Sequence, residues 1–99
     1  MSISETDIST PAAKAVSFDG DSMRVDLSDG RSISVPTSWY PRLFHGTAQE
    51  RENWQLIGAG EGIHWPELDE DIEIEALIHG LRSNESQKSL ADWLKERKK

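Results

Sequence analysis

The side chains best suited to acid–base chemistry are a histidine and two nearby carboxylates. His64 is followed closely by Asp69 and Asp71. A histidine beside a carboxylate is the minimum arrangement for proton transfer, and the same groups can ligate a metal ion. No nucleophile stands at a recognisable spacing from them, and no H-E-x-x-H or similar pattern occurs. His64 is therefore the one candidate for a catalytic residue, and the sequence predicts neither a bound metal nor a cofactor.

A second set of residues has the types that dominate protein interfaces. Tryptophan and arginine are frequent in binding hot spots, and an acidic surface attracts a basic partner. The candidates for partner binding are Arg42, Asp69, Glu70, Asp71 and Trp93. The acidic run lacks the D-x-[DN]-x-[DN]-G spacing of a calcium loop. Its other interpretation is the start of a helix, where the helix dipole stabilises carboxylates.

A glycine-rich hairpin is predicted to position these groups. Trp54–Ile57 and Gly62–Trp65 are short apolar runs, and glycine occupies alternate positions between them. Such a segment forms a turn or bulge joining two antiparallel strands. It does not match G-x-G-x-x-G, and Glu61 would repel a phosphate. Ile63 and Trp65 should face the core, which places His64 on the open face beside Asp69 or Asp71.

The segment before the hairpin predicts three more strands. Residues 13–18, 23–27 and 31–35 carry alternating apolar side chains. Side chains alternate between the two faces of a strand, and a two-residue turn at 29–30 would bring serines onto the apolar face. A three-residue loop at 28–30 places apolar side chains opposite each other instead. That loop pairs Val25 with Ile33 and uses Gly30 as its left-handed residue.

Short helices are predicted around and after these strands. Thr37 or Ser38 can cap a helix that stops at Gly46, with Trp39, Leu43 and Phe44 toward the core. Thr47 and Glu50 form a capping box. A helix over 73–79 should end at Gly80. Leu90, Trp93 and Leu94 lie on one face of a C-terminal helix over 86–99, which docks, binds a partner or frays.

Composition limits the classes of function. The 99 residues carry a net charge of −7 and a pI of about 4.8. That balance argues against direct binding of nucleic acid and against an anionic membrane surface. There is no cysteine, no signal peptide at the N-terminus and no apolar run of membrane-spanning length. We expect a cytoplasmic protein with a protein partner.

The predicted fold class is α+β. It consists of a small antiparallel sheet of about five short strands, two or three short helices and a C-terminal helix. Residues 1–12 are polar and should form a loose tail. Residues 13–80 form the single domain, and residues 81–99 form a linker and the C-terminal helix.

Three segments together resemble a bacterial family of domains of unknown function. They read W-Y-P-R-L at 39–43, N-W-Q-L-I-G-A-G-E-G-I-H-W-P at 53–66 and L-D-E-D-I at 68–72. The resemblance covers roughly residues 13–80 and implies a small α+β domain, with no catalytic residues to carry over. Some members bear an added helix-turn-helix domain, for which residues 81–99 are too short. Others stand alone, some beside a second small protein in an arrangement like a toxin–antitoxin pair.

Two classes of function follow from these observations. The first is a small acidic protein-interaction module of unknown process, an antitoxin-like or regulatory partner subunit. The alternatives are a metal-binding or hydrolytic domain using His64 with Asp69 or Asp71, and an accessory domain of a DNA-binding regulator. The distance from His64 to Asp69 and Asp71 tests the metal-binding or hydrolytic alternative. Charge coupling weakens beyond about 6 Å, so that alternative requires His64 to lie closer than this to one of the two carboxylates.

Overall fold

The computed structural model describes residues 10–97, which form an α+β fold of six strands and four α-helices. The strands are β1 (Ala13–Asp19), β2 (Ser22–Leu27), β3 (Ser32–Pro36), β4 (Gln55–Ile57), β5 (Gly62–Trp65) and β6 (Glu70–Glu73). The helices are α1 (Pro41–His45), α2 (Ala48–Glu52), α3 (Ile74–Ile78) and α4 (Gln87–Arg97), and a short 3-10 helix spans Thr37–Trp39. The tail predicted for residues 1–12 falls largely on residues 1–9, which lie outside the described part of the chain.

The first three strands form one antiparallel sheet in the order β1-β2-β3. Val25 pairs with Ile33, and the Leu27 amide donates to the Arg31 carbonyl at 2.8 Å. The loop therefore has three residues, and Gly30 at its end has a φ of +93°. Both the loop length and the strand register that were predicted from the alternation of apolar side chains are confirmed.

The glycine-rich hairpin is also confirmed, but it belongs to a second sheet. β4 and β5 are antiparallel, with Leu56 opposite Ile63, and the turn between them has positive φ at Gly58 and Gly60. A third strand, β6, pairs with β5. The structure therefore has two three-stranded antiparallel sheets in place of the predicted one sheet of about five strands, and the sixth strand is the acidic run. Glu70–Glu73 pairs with Gly62–Trp65 instead of opening a helix.

A helical connection joins the two sheets. Pro41 occupies the first turn of α1, where its missing amide hydrogen costs nothing. Both halves of the capping box between Thr47 and Glu50 are present at the start of α2. Leu43 is fully buried as predicted, but Phe44 is 48% exposed. Phe44 was wrongly expected in the core because α1 is a helix of five residues and buries a single position.

The two sheets share one core and are joined by backbone hydrogen bonds. The Ala13 amide donates to the Gly60 carbonyl at 2.8 Å, and the Ile74 amide donates to the Glu61 carbonyl at 2.9 Å. The fully buried side chains with the largest volumes are Trp65, Met23, Leu43, Ile63, Leu68, Ile74, Leu77 and Val25. Burying these apolar side chains provides the main driving force for folding.

The chain after α3 crosses the domain before α4 begins. The Gly80 amide donates to Leu77 and the Leu81 amide donates to Ala76, which is a Schellman termination with Gly80 at a φ of +76°. The Tyr40 hydroxyl then donates to the Leu81 carbonyl at 3.0 Å. The segment leading to α4 is thus held against the start of α1. Within residues 10–97, no helix has the length and apolar character needed to cross a membrane.

Candidate functional site

Arg42 on α1 is the residue around which the candidate site is built. Its guanidinium donates three hydrogen bonds to the Glu85 carboxylate, of 2.9, 2.9 and 2.6 Å. The two side chains are 15% and 8% exposed. Hydrogen bonding from Arg42 lowers the pKa of Glu85 below its ordinary value. The pair ties the segment before α4 to the domain with a charge-assisted, largely desolvated contact.

Arg42 also organises the turn that begins the acidic run. Asp69 has a φ of +52°, a left-handed conformation that aspartate tolerates better than most residues. The Arg42 guanidinium donates to the Asp69 carbonyl at 3.1 Å. The preceding Leu68 is fully buried, whereas the Asp69 side chain is 85% exposed. Arg42 also donates to the Asp69 carboxylate at 3.4 Å, so the turn is anchored by Arg42 while its carboxylate remains largely open to solvent.

Trp93 lies on the face of α4 that is turned toward Arg42. The Arg42 guanidinium carbon is 5.1 Å from the centre of the Trp93 ring, and that of Arg97 is 4.7 Å away. Arg97 in turn donates to the Glu50 carboxylate at 3.1 and 2.8 Å. α4 has no fully buried residue. Charged and aromatic contacts, including these, hold it on the domain.

An open groove of about 500 Å³ lies between α4 and the Asp69 turn. Of the five residues predicted to bind a partner, Arg42, Asp69 and Trp93 meet in this groove. The remaining lining residues are Ser86, Lys88, Ser89, Asp92 and Glu96. The groove combines one aromatic ring with charges of both signs, the composition of a polar protein-binding surface.

Glu70 points into a different cavity, next to Tyr40 and the segment 81–84. Burial raises the pKa of Glu70 to about 7, although the positive charge of Arg42 opposes this rise. The negative charges of Glu85, Asp71 and Asp69 add to it. The pKa of Glu70 therefore lies near neutral pH, and the residue lines this second cavity and not the groove.

We expect the substitution Glu70→Gln to flatten the dependence of stability on pH. The folded pKa lies above the ordinary value of 4.5, so the unfolded chain releases this proton first as pH rises. Stability supplied by the neutral group is complete below pH 4.5 and is lost as pH rises through about 7. The loss should be about 2 kcal/mol for a partly solvated group, and the Glu70→Gln variant should not show it.

Urea unfolding from below pH 4.5 to above pH 7 measures this difference. Glu73→Gln, an exposed change on the same strand, controls for the loss of one negative charge. Parallel stability curves for the wild type and Glu70→Gln would contradict the prediction.

His64 and Asp71 are brought together as a pair. They lie opposite each other on β5 and β6, and the imidazole Nδ1 contacts the Asp71 carboxylate. His64 is 35% exposed and Asp71 is 65% exposed. Neither residue lines the groove. In the part of the chain that the structure describes, no three histidine, aspartate or glutamate side chains are placed to hold a metal ion.

Three residues of this region were missed from the sequence. Glu50 was assigned to a helix cap, whereas Arg97 and Glu85 fell within the predicted C-terminal helix and the linker before it. Glu50 does cap α2, but it also binds Arg97, which lies 47 residues away. The Arg42–Glu85 pair spans 43 residues. Such distant pairs leave no local spacing signal in one sequence.

Comparison with known proteins identifies a family and a fold. The fold is similar to the crystal structure of a protein of unknown function from Rhodospirillum rubrum, with a TM-score of 0.67 and 24% identity, covering 78% of this chain and 95% of that chain. It is also similar to the solution structure of an uncharacterized protein from Chromobacterium violaceum, with a TM-score of 0.64 and 19% identity, covering 89% of this chain and 79% of that chain. At these identities the two structures show the fold alone.

No curated protein matches the chain. A family model described as "Protein of unknown function (DUF2442)" matches residues 13–83. This match ends before α4 begins, so the family segment contains both sheets, and α4 lies beyond it. The chain therefore belongs to the DUF2442 family of proteins of unknown function.

Proposed function

We propose that the protein is a small acidic protein-interaction module. The observation that carries this proposal is the groove in which Arg42, Asp69 and Trp93 meet. Arginine and tryptophan supply a large share of binding energy at protein interfaces, and they do so where their neighbours exclude water. Trp93 is partly buried beside Arg42, so a partner entering the groove would complete its burial.

The net charge of −7 supports a basic partner. Asp69 projects an exposed carboxylate at the rim of the groove. Rim charges of this kind steer an oppositely charged partner and set its orientation. The proposal extends to an antitoxin-like or regulatory subunit in the cytoplasm, paired with a basic protein encoded next to it.

Co-purification of the tagged chain with the product of the neighbouring gene tests the proposal. Trp93→Ala should reduce capture by more than about tenfold, as expected for a hot-spot residue. Asp69→Lys should also weaken capture, because it reverses the charge at the rim. Asp21→Lys makes the same charge change in the exposed turn between β1 and β2 and should leave capture unchanged.

Two results would overturn the proposal. One is a complex that survives both Trp93→Ala and Asp69→Lys at full strength. The other is the absence of any complex between the two purified proteins.

The contact between His64 and Asp71 favours the alternative of a small hydrolytic domain. That alternative also requires a nucleophile or a third ligand beside the pair. The groove instead gathers residues that suit protein contacts, so the interaction module is the better-supported function.

A further inference from the structure

Trp93 is flanked by two arginine–glutamate pairs. Arg42 pairs with Glu85, Arg97 pairs with Glu50, and both guanidinium groups lie over the Trp93 ring. We call these five residues the Trp93 cluster. A carboxylate with an adjacent indole face is a good receptor for a guanidinium group, which forms paired hydrogen bonds in its plane and stacks on aromatic rings.

The two pairs differ in how firmly they are held. Arg42 belongs to α1, makes three hydrogen bonds to Glu85, and is 15% exposed. Arg97 is the last residue of α4, makes two hydrogen bonds to Glu50, and is 26% exposed. The last turn of a helix lacks part of its backbone hydrogen bonding and opens at low cost. The guanidinium group of Arg97 can therefore leave its contacts with Glu50 and Trp93 more easily than that of Arg42 can leave Glu85.

The Glu50 carboxylate stays in position without Arg97. Its Oε1 accepts from the Thr47 amide at 2.8 Å as part of the capping box of α2. The ring of Trp93 is likewise anchored by Arg42. Loss of Arg97 would therefore leave a partly buried carboxylate beside an indole, with both groups still oriented by the fold.

We propose that Glu50 and Trp93 form a guanidinium-binding site, which the chain's own Arg97 fills and which an arginine side chain of a basic partner enters. The choice of a partner's arginine as the incoming group rests on the proposed function. The site supplies one negative charge, a planar hydrogen-bonding edge and an aromatic face. An arginine satisfies all three, whereas a lysine ammonium satisfies only the charge fully. Arg97 thus acts as an internal competitor.

The test uses the full chain with Arg97→Ala and follows the Trp93 indole N–H signal by NMR. N-acetyl-arginine amide should shift this signal saturably. The lysine analogue should bind about tenfold more weakly, because it lacks the paired, charge-assisted hydrogen bonds. The wild type should also bind the arginine amide about tenfold more weakly, because Arg97 fills the site. If α4 detaches in Arg97→Ala, the arginine amide should restore its docking.

The matched control combines Arg97→Ala with Glu50→Gln. Glutamine preserves the capping box, so α2 keeps its start while the site loses its charge. The arginine-dependent shift should then disappear. Equal responses to the arginine and lysine amides, a response that persists in the double variant, or no response at all would overturn the site.

The outcomes separate this site from the proposed function. If the Arg97→Ala variant does not bind the arginine amide while Trp93→Ala still abolishes capture of the partner, only the proposed guanidinium site is wrong. If the variant binds arginine but no complex forms with the neighbouring protein, the interaction module is wrong and the site remains.

Discussion

Trp65→Ala should remove much of the protein's folding stability. Trp65 is fully buried at the centre of the shared core, and its ring meets Phe18 edge to face at 6.5 Å. Truncating a buried tryptophan to alanine costs about 3–5 kcal/mol. A domain of this size has a total stability of about 5–10 kcal/mol. We therefore expect the melting temperature to fall by more than about 15 °C.

The indole N–H adds a second cost. It donates to the Arg51 carbonyl at 2.9 Å, and this bond ties β5 to the end of α2. Leaving this partly buried carbonyl without its donor should cost about 1 kcal/mol, the low end of the range for an unsatisfied buried group. Trp65→Phe keeps most of the ring volume but loses this bond and one of the two fused rings, so it should fall between the wild type and Trp65→Ala.

Trp54→Ala is the matched control on the same hairpin. Trp54 is only partly buried, so its removal should cost less than half as much. Urea unfolding followed by circular dichroism measures both variants. Equal losses at the two positions would mean that Trp65 is not the centre of the core.

The parts of this fold that sequence could predict are those governed by local rules. The loop at 28–30 followed from the alternation of Val25 and Leu27 against Ile33, since a one-residue change of register exposes the apolar face. The capping box at Thr47 followed from two side chains three residues apart. Each prediction needed only neighbours in sequence, and each is confirmed.

In the acidic run, the preference of carboxylates for a helix start competes with strand pairing between distant residues. Carboxylates suit a helix start, and α3 does follow, but strand pairing with β5 sets the backbone of Glu70–Glu73. A signal for this was present. Ile72 and Ile74 alternate with exposed glutamates, the pattern of a half-buried strand. The helix interpretation overlooked that period of two.

The candidate site was predictable in its residue types and not in its pairing. Arg42 and Trp93 were named separately as interface residues. In the fold, the Arg42 guanidinium carbon lies 5.1 Å from the centre of the Trp93 ring. Glu50 was named only for its capping box and Glu85 was not named, because their contacts with the two arginines span more than forty residues. Only the three-dimensional path of the chain after Gly80 brings α4 to α1.

Gly60→Ala should be the most damaging of the glycine substitutions in the turns. Gly60 has a φ of +99°, and a Cβ there would lie 2.7 Å from the Ala13 carbonyl oxygen and 2.9 Å from the Ala12 Cβ. The same residue's carbonyl accepts the hydrogen bond from Ala13 that joins the two sheets. The blocking atoms belong largely to the backbone, so relief requires β1 to move away and break this junction.

Gly30→Ala measures the cost of backbone strain without a steric clash. Gly30 has a similar φ of +93°, but a Cβ there meets nothing within 4 Å. Its substitution should cost about 1–2 kcal/mol, the strain of a left-handed alanine. Gly60→Ala should cost about 1–3 kcal/mol more, because overpacking is added to the same strain. Urea midpoints give both values. If the two variants were equally stable, the contact between β1 and the β4–β5 turn would contribute nothing to holding the sheets together.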